Sequence, residues 1–370
     1  MKGCDIVLVV HNQLNYTRGC IESILKYTSI PFKIIVVDNA SSNETLEYLE
    51  TAKTLQPDKI ALIKNQSNEG WLRAVNRGIQ ESRYPFICVM NNDTLVTPQW
   101  LEEMIRVAEA EQGIGIVNPC WKGKPRRVSV ESYAERLRRF SGQYIEMDWC
   151  RGFCFLIRRE VIGLIGGLDT HYDPAYYDDW DFSLRALKAG FKCVLAKGSF
   201  VYHFFNVTYP EVLGWESFNE LFEKNRRVFY QKWGIPLRIA FILDKKMRGE
   251  GKFTDDFPLE LLRNQHKLYV WTTQRKPNFP PHTNLRISYI PSPFLFSICL
   301  FRLWNNYKKA PEKRYDVIFT GNETLYRFLK RYTKGNLVML GNGEAGRLDE
   351  RIRECVEQVK AEKRRRLLSR

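Results

Sequence analysis

The sequence contains no apolar run long enough to cross a membrane. The longest, Phe294 to Phe301, ends at Arg302, well short of the roughly 20 residues that a membrane-spanning helix needs. The chain starts with MKGCD and passes directly into a strand-like segment, without the charged region and apolar stretch that mark a secretion signal. We therefore expect a cytoplasmic protein, with peripheral contact at the inner face of the cell membrane as an open alternative.

Cysteine and glycine motifs that would indicate a metal-binding protein or a dinucleotide-dependent enzyme are also missing. The nine cysteines are scattered without metal-ligand spacing, and Cys4, Cys88 and Cys193 lie inside apolar runs, where a thiol behaves as a small hydrophobe. We expect reduced, structural thiols. No G-x-G-x-x-G follows the first strand-like run, which argues against a dinucleotide-dependent oxidoreductase.

Positive charge predominates in the sequence. Lys and Arg number 57 against 42 Asp and Glu, for a net charge of +15, which favours a polyanionic partner such as nucleotide phosphate, nucleic acid or anionic lipid. The excess is concentrated in residues 122–139, with seven basic and two acidic residues, and in the last twenty, with eight and three. Both segments are compatible with a solvated face or with contact to an anionic membrane, and 363–368 is the part to test. We expect no nucleic-acid partner, because no interleaved base-stacking motif appears.

The length of 370 residues suggests two domains at roughly 150 residues each. The first hundred residues repeat a Val- and Ile-rich run, a polar turn and a segment with helical spacing, which is typical of an α/β sheet. The apolar runs are continuous, as in strands covered on both faces. Strands are predicted over 5–10, 33–38, 59–64, 86–90, 192–196, 199–203, 267–272, 285–290, 315–320 and 336–340, and a long helix over 215–233.

Polar residues directly follow the first four predicted strands. They are His11-Asn12, Asp38-Asn39, the segment 65–68, and Asn91-Asn92-Asp93. Ligands bind outside the carboxyl ends of the strands in open parallel sheets. A single Asn- and Asp-rich cluster is also ordinary turn chemistry, but four in register predict a binding site at this edge.

Three carboxylates lie within four positions, at Asp178, Asp179 and Asp181. Asp at a helix N-terminus can cap the first turn and favour it electrostatically, which is one interpretation. The other makes one of them a general base, because a carboxylate that is ionised at neutral pH can accept a proton from an attacking hydroxyl.

The run Asn91-Asn92-Asp93-Thr94 ends an apolar strand. A lone carboxylate there can bind Mg²⁺ or Mn²⁺, since such a cation keeps waters and takes further ligands from substrate phosphates. A simple turn is the alternative interpretation.

The order and spacing of five motifs resemble glycosyltransferase family 2, most closely its rhamnosyltransferase-like branch. The resemblance covers residues 4–210. The motifs are Ile6-Val7-Leu8-Val9-Val10-His11-Asn12, Ile34-Ile35-Val36-Val37-Asp38-Asn39-Ala40-Ser41, Asn68-Glu69-Gly70-Trp71 with Asn76-Arg77-Gly78, Asn91-Asn92-Asp93-Thr94, and Tyr177-Asp178-Asp179-Trp180-Asp181.

The resemblance implies a GT-A fold, an α/β Rossmann-like domain that transfers a sugar with inversion from a nucleotide-diphosphate sugar to a glycan or lipid-linked acceptor. It implies a metal site at Asp93 and at His203, which follows Val201-Tyr202. For His203 a structural role is equally open. It implies Asp179 as the base, Asp178 as an orienting carboxylate and Asp181 as the third acid of the site. The residues implied to border the donor are Val10, His11, Asn12, Asp38, Asn39, Asn68, Gly70, Asn76 and Asn92.

This chain departs from the family pattern at three of these positions. His11 stands where Tyr is usual, Asn91 where many relatives have Asp, and Asp178 where Glu is common. The second change removes one negative charge beside the diphosphate, which predicts weaker metal affinity.

The C-terminal part is predicted to form a smaller α/β unit. Residues 257–346 resemble part of the N-terminal lobe of a GT-B glycosyltransferase, without a donor-binding lobe. The predicted organisation is a GT-A domain with a C-terminal helix over 1–243, a linker over 244–256, the small unit over 257–346, and a basic helical tail over 347–370.

Two other functions remain open at the level of sequence. The same strand-end acids could serve a nucleotidyltransferase, which attacks a phosphorus atom of a nucleoside triphosphate. A non-catalytic carbohydrate-binding or scaffold protein could also be built on this fold. Donor sugar, nucleotide, linkage and oligomeric state are not fixed by any motif.

Overall fold

The computed structural model describes residues 3–124, 126–204, 209–243, 256–277, 279–308, 310, 313–331, 336–340 and 345–368. The chain forms two compact units, Met1–Phe229 and Tyr230–Arg370. Within the described ranges, no helix combines the length and hydropathy that crossing a bilayer requires.

A mixed sheet forms the centre of the first unit. Nine strands belong to it in the described part of the chain, in the order β3-β2-β1-β4-β8-β6-β9-β5, with β7 paired to β9. Their bounds are β1 Cys4–Val10, β2 Phe32–Asp38, β3 Ile60–Lys64, β4 Phe86–Asn91, β5 Thr94–Val96, β6 Ile114–Cys120, β7 Tyr144–Glu146, β8 Cys154–Arg158 and β9 Lys192–His203. The helices of this unit are α1 Leu14–Tyr27, α2 Asn43–Leu55, α3 Trp71–Glu81, α4 Trp100–Ala110, α5 Val130–Leu137, α6 Arg159–Ile165, α7 Asp178–Lys188 and α8 Tyr209–Trp233, which runs on into the second unit.

The first four strands are parallel, and their carboxyl ends meet at one edge. β1 pairs with β2 up to Val10 opposite Asp38, and with β4 up to Val9 opposite Asn91. All seven residues of β1 are buried, as its uninterrupted apolar sequence predicts for a strand covered on both faces. The polar residues after these strands therefore lie near one another.

Helix α3 packs closely on this sheet because it carries a glycine. A Cβ on Gly78 would lie 2.4 Å from Cγ1 of Val7 and 3.3 Å from Cγ2 of Val37. Real Cβ atoms do not approach other atoms this closely, so glycine permits the helix to approach β1 and β2.

The second half of the sheet differs from the predicted pattern. β8 runs antiparallel between β4 and β6, and the predicted strands 192–196 and 199–203 are one continuous strand, β9. This strand pairs with β6 and then, through Val201 to His203, with β5. Gly198 joins the two parts, where a Cβ would lie 2.8 Å from a carboxylate oxygen of Glu103.

The second unit contains a parallel sheet of its own. Five strands form it among the described residues, in the order β12-β11-β10-β13-β14. They are β10 Arg238–Leu243, β11 Lys267–Thr272, β12 Leu285–Tyr289, β13 Val317–Thr320 and β14 Asn336–Met339, with helices α9 Phe257–Arg263, α10 Leu295–Tyr307, α11 Glu323–Leu329 and α12 Ala345–Leu368.

The division between the units differs from the predicted boundary at residue 243. β10 is the central strand of the second sheet, and the units divide between Phe229 and Tyr230. No strand is predicted over 238–243, so the predicted boundary leaves the central strand of the second sheet in the first domain. Residues 244–255 of the predicted linker lie outside the described residues.

All nine cysteines are free thiols, as predicted, and seven are buried. Burial raises the pKa of Cys20 to about 12, and the neighbouring Cys4 and Cys154 thiols have strongly raised pKa values for the same reason. These side chains are packing groups of the core.

Candidate functional site

A cavity of about 540 Å³ opens at the carboxyl ends of β1 and β4. Both acids singled out from the sequence, Asp93 and Asp179, lie on its wall together with Asp178. The predicted donor residues on its wall are His11, Asn39, Asn68, Gly70 and Asn92. The parallel strand ends thus bring together side chains that are far apart in sequence.

Asn39 organises the polar side of this cavity. Its buried side-chain amide donates to Oδ1 of Asn68 at 2.7 Å and to the carbonyl of Gly70 at 3.3 Å. Its Oδ1 accepts from Nδ2 of Asn65 and from the backbone N–H of Glu69, each at 3.0 Å. One side chain therefore ties the end of β2 to the loop before α3, and satisfies both halves of its own amide.

The turn after β1 has a special backbone conformation. Asn12 has φ 57°, its backbone N–H donates to Oγ of Ser41 at 2.9 Å, and its Oδ1 accepts from the N–H of Ser42 at 2.7 Å. The ring Nδ1 of His11 lies 2.9 Å from the carbonyl oxygen of Asn39. Asn tolerates positive φ, and here it joins the ends of β1 and β2.

Asp93 lies between β4 and β5, on the wall of the cavity. Its Oδ1 is 3.2 Å from Nε2 of His203, the last residue of β9. The β5–β9 pairing sets this distance, because it places Thr94 opposite His203. The imidazole also stacks on Phe153, with ring centroids 4.9 Å apart, so packing holds the histidine beside the carboxylate.

The donor atoms at Asp93 fit a cation that shares its coordination with a substrate. Oδ1 of Asp93 is buried and accepts no hydrogen bond from any described residue. The described residues include no group of three or more His, Cys, Asp or Glu that could hold a metal ion. One carboxylate and one imidazole suit Mg²⁺ or Mn²⁺ with phosphate and water as further ligands, rather than a closed structural site.

Asp179 lies in the first turn of α7, which begins after an unusual loop. Tyr176 and Tyr177 have φ 76° and 69°, conformations that cost free energy for residues with side chains. Oδ2 of Asp179 accepts from the N–H of Gly152 at 3.1 Å, and its Oδ1 from the N–H of Trp180 at 2.8 Å. The carboxylate is therefore oriented by backbone groups on the cavity wall.

The three acids of this turn have different environments. Asp178 is 4% exposed, and burial together with the charge of Asp179 raises its pKa well above the ordinary value. Burial also raises the pKa of Asp179, against the lowering effect of Arg151 and of the Gly152 N–H. Asp181 is fully buried away from the cavity wall, and its Oδ2 accepts from Nε of Arg185 at 2.8 Å.

An aromatic wall faces the acids, and the sequence did not predict it. Trp149 and Trp180 stack with ring centroids 4.0 Å apart, and both line the cavity. The guanidinium of Arg151 lies 3.8 Å from the ring centroid of Trp149. The two tryptophans are separated by 31 positions, so no local pattern connects them, although Trp180 lies within the acidic motif.

A loop between β7 and β8 places Trp149 and Arg151. The fully buried Asn118 of β6 accepts the N–H of Arg151 at 3.1 Å and donates to its carbonyl at 3.0 Å. The N–H of Cys150 donates to Oγ of Ser183 on α7 at 2.8 Å. These bonds attach the loop both to the sheet and to the helix that carries Asp179.

Five predicted site residues lie behind the cavity wall. Val10 is in the core, and its neighbour Val9 lines the cavity instead, because successive side chains of a strand point to opposite faces. Asp38 accepts from the N–H of Ser41, and Asn76 exchanges two hydrogen bonds of 2.8 Å with the backbone of Leu168. These two, like Asn12 and Asp181, are not among the residues that line the cavity.

Part of the first unit is similar to known proteins. The model of the family described as "Glycosyl transferase family 2" matches residues 5–165. An uncharacterized glycosyltransferase, YwdF, of Bacillus subtilis (strain 168) is 27% identical over 188 residues, which are 50% of this chain and 68% of the relative.

Two solved structures have a similar chain course over part of their length. A mannosyltransferase of Pyrobaculum calidifontis in complex with GDP-Man and Mn²⁺ is 16% identical, with a TM-score of 0.48 over 62% of this chain and 63% of that one. TarS 1–349 of S. aureus in complex with UDP-GlcNAc is 15% identical, with a TM-score of 0.48 over 63% and 66%. The parallel-rich sheet confirms the predicted α/β fold class of the first unit.

Proposed function

We propose that this chain, whose residues 5–165 match the model of glycosyl transferase family 2, is a metal-dependent inverting glycosyltransferase. It would move a sugar from a nucleoside-diphosphate sugar to a hydroxyl group of a polysaccharide or glycolipid. The observation that carries this proposal is that Asp93 and Asp179 line one cavity of about 540 Å³.

The polar side of the cavity suits the nucleotide part of the donor. The amide of Asn68, which Asn39 holds in place, and the imidazole of His11 present hydrogen-bonding groups there. Since Asn39 is already oriented by four hydrogen bonds, the site needs little reorganisation when a ligand enters.

Asp93, with His203 beside it, would hold the divalent cation and bring the diphosphate to that end of the cavity. When bound, Mg²⁺ or Mn²⁺ neutralises negative charge that develops on the departing diphosphate. Oδ1 of Asp93 is buried and accepts no hydrogen bond from the described residues, although Nε2 of His203 lies 3.2 Å away, so a bound cation would stabilise the buried carboxylate.

Asp179 would accept the proton of the acceptor hydroxyl as that oxygen attacks the anomeric carbon. The two N–H donors that contact its oxygens orient the carboxylate, and its raised pKa makes it a better proton acceptor than an exposed aspartate. A base on one side of the sugar and a leaving group on the other give inversion in a single displacement.

The stacked Trp149 and Trp180 would bind the acceptor. Apolar faces of sugar rings pack well on indole rings, and an aromatic surface next to the base positions a glycan hydroxyl. This is the observation that favours a sugar acceptor over the nucleotidyltransferase alternative.

The direct test replaces the base with an isosteric amide. Asp179→Asn should lower kcat by a factor of roughly 10²–10⁴ and leave the affinity for a nucleotide and Mn²⁺ nearly unchanged. Asp93→Asn should instead weaken the metal-dependent binding of the nucleotide. Asp58→Asn, at an exposed carboxylate far along the chain from both motifs, is the matched control.

Product analysis decides between the candidate functions. A glycosyltransferase releases nucleoside diphosphate from a diphosphate sugar, whereas a nucleotidyltransferase consumes a nucleoside triphosphate. Full activity of Asp179→Asn would contradict the assignment of the base, and turnover of triphosphates alone would contradict the proposed reaction.

Substitution of Arg151 provides a second test of Asp179 as the base. Its charge lowers the pKa of Asp179, so Arg151→Gln should raise that pKa and shift the acid limb of kcat/KM to higher pH, by about half a unit to one unit. Arg151→Lys keeps the charge and should leave the limb in place. An unchanged profile in Arg151→Gln would show that another group limits activity at low pH.

A further inference from the structure

Helix α10 of the second unit is apolar on two faces. Leu295, Cys299 and Leu303 are buried in the core of that unit. On the other side, Phe301 and Trp304 are 63% and 57% exposed, and Phe294, directly before the helix, is 57% exposed. A surface helix of a globular protein normally presents polar side chains to water, so these exposed rings require an explanation.

The chain segment that contains this helix carries positive charge and no carboxylate. Residues 261–311 include eight Lys and Arg but no Asp or Glu. Lys308 Nζ lies 3.4 Å from the ring centroid of Trp304, and Arg302 lies over Trp271 at 5.5 Å. Among the described residues, no ion pair involves Arg286, Arg302 or Lys308.

The basic tail, which the sequence suggested for membrane contact, is partly engaged within its own unit. Lys363 Nζ lies 2.9 Å from Oδ1 of Asp316 and donates to the carbonyl of Pro236 at 3.4 Å. Arg364 donates to the carbonyl of Gln231 at 3.2 Å. These contacts hold part of the tail on the unit, whereas the rings of α10 face water.

We propose that the outer face of α10, defined by Phe294, Phe301, Trp304 and Lys308, docks on the surface of an anionic lipid bilayer. The aromatic rings would enter the interfacial layer, where Trp and Phe are favourable. Lys308 would contact lipid phosphate, and its long side chain can reach that level from the apolar face.

The positive charge of residues 261–311 favours an anionic bilayer as the binding partner of this face. A second copy of this chain would place one basic segment, with eight Lys and Arg and no Asp or Glu over 261–311, against another in a two-fold contact, and like charges would repel. An anionic bilayer supplies both the apolar layer for the rings and the negative charge for the surrounding cations. The docking does not depend on the proposed transferase reaction.

The test measures co-sedimentation of the full chain with vesicles. Phosphatidylcholine vesicles with phosphatidylglycerol should bind the protein at low salt, and phosphatidylcholine alone should bind it more weakly. Raising the NaCl concentration from about 0.01 M to about 1 M shortens the Debye length from about 30 Å to about 3 Å, and should release most of the bound protein.

Matched substitutions distinguish vesicle binding through this face from nonspecific adsorption of exposed apolar side chains. Phe301→Ser with Trp304→Ser should lower the vesicle partition coefficient by roughly tenfold or more. Leu164→Ser removes an equally exposed side chain, 64% exposed, on α6 of the first unit, and should leave the coefficient unchanged. Lys308→Glu should reduce binding to anionic vesicles and not to neutral ones.

Several outcomes would overturn the proposal. One is equal vesicle binding by wild type and Phe301→Ser/Trp304→Ser, when circular dichroism shows that the variant is folded. Another is binding that is lost only when 363–366 are neutralised, which would assign contact to the tail. A third is a dimer, measured by analytical ultracentrifugation without lipid, that the double substitution converts to monomer while vesicle binding persists.

Discussion

At the scale of single residues, the first turn of α7 shows how three neighbouring aspartates acquire different properties. Asp178 is buried beside another carboxylate, Asp179 is held by two N–H groups on the cavity wall, and Asp181 is paired with Arg185. The environment of each side chain, rather than its residue type, determines whether its charge is favourable.

Asp178 is expected to reduce stability at neutral pH. Its folded-state pKa is raised above the ordinary value of about 3.9, so the folded chain holds this proton more tightly than the unfolded chain does. The resulting stabilisation is complete below that ordinary value and is lost as the pH rises through the folded-state pKa. Asp178→Asn should therefore have a higher Tm than wild type at pH 7, and the difference should shrink toward pH 3. Thermal unfolding over this pH range measures it.

Asp181→Asn is the contrasting variant in the same turn. Removing this charge leaves the guanidinium of Arg185, which is 19% exposed, without its carboxylate, and should cost about 3 kcal/mol of unfolding free energy at pH 7. A loss of stability in both variants would contradict the difference that we assign to the two sites.

At the scale of elements, the approach of α3 to the sheet is expected to depend on Gly78. Gly78→Ala would force its Cβ against Val7 and should destabilise the first unit by about 1–3 kcal/mol in urea unfolding. Gly163→Ala, in the exposed interior of α6 with no atom within 4 Å of its new Cβ, should instead add about 0.5–1 kcal/mol. Equal effects of the two substitutions would show that contact with Val7 is not the cause.

The sequence predicted the first four strands well and missed several later ones, including β6, β8 and the parallel strand β10. The strands before α1, α2 and α3 are continuous Val- and Ile-rich runs, and their observed ends differ from the predicted ones by one residue at most. β6 and β8 were not predicted, because Pro119 and the polar Asn118 interrupt the apolar run of β6, and β8 directly follows a loop without a turn signal. Pairing between distant strands is a tertiary property that a local pattern does not contain.

In the candidate site, too, local sequence patterns predict some features and miss those that depend on tertiary contacts. Polar residues at strand ends could be predicted because parallel topology brings them to one edge. Which of two adjacent residues faces the cavity depends on strand alternation and on loop contacts, and this separates Val9 from Val10. The stacking of Trp149 on Trp180 arises from a loop that Asn118 and Ser183 hold in place, and no spacing in the sequence encodes it.

At the scale of the whole molecule, each unit has its own sheet and its own buried core. We expect thermal unfolding to show two transitions, with Gly78→Ala lowering only the transition of the first unit. A nucleoside diphosphate with Mn²⁺ at about 100 times its dissociation constant should stabilise that same unit by about 2.7 kcal/mol. Differential scanning calorimetry measures both effects.

The outcome that would contradict this expectation is a ligand-induced rise of the other transition. It would mean that the second unit, rather than the cavity at Asp93 and Asp179, binds the nucleotide. Asp58→Asn serves again as the control that should leave both transitions in place.

The buried thiols make the opening of each unit chemically visible. Cys4, Cys20, Cys88, Cys150, Cys154 and Cys193 are buried in the first unit and Cys299 in the second. A maleimide or iodoacetamide reagent reaches such a group only when the surrounding structure opens. Mass spectrometry of intact and digested protein after timed alkylation would therefore report how often the core of each unit opens, without any engineered label.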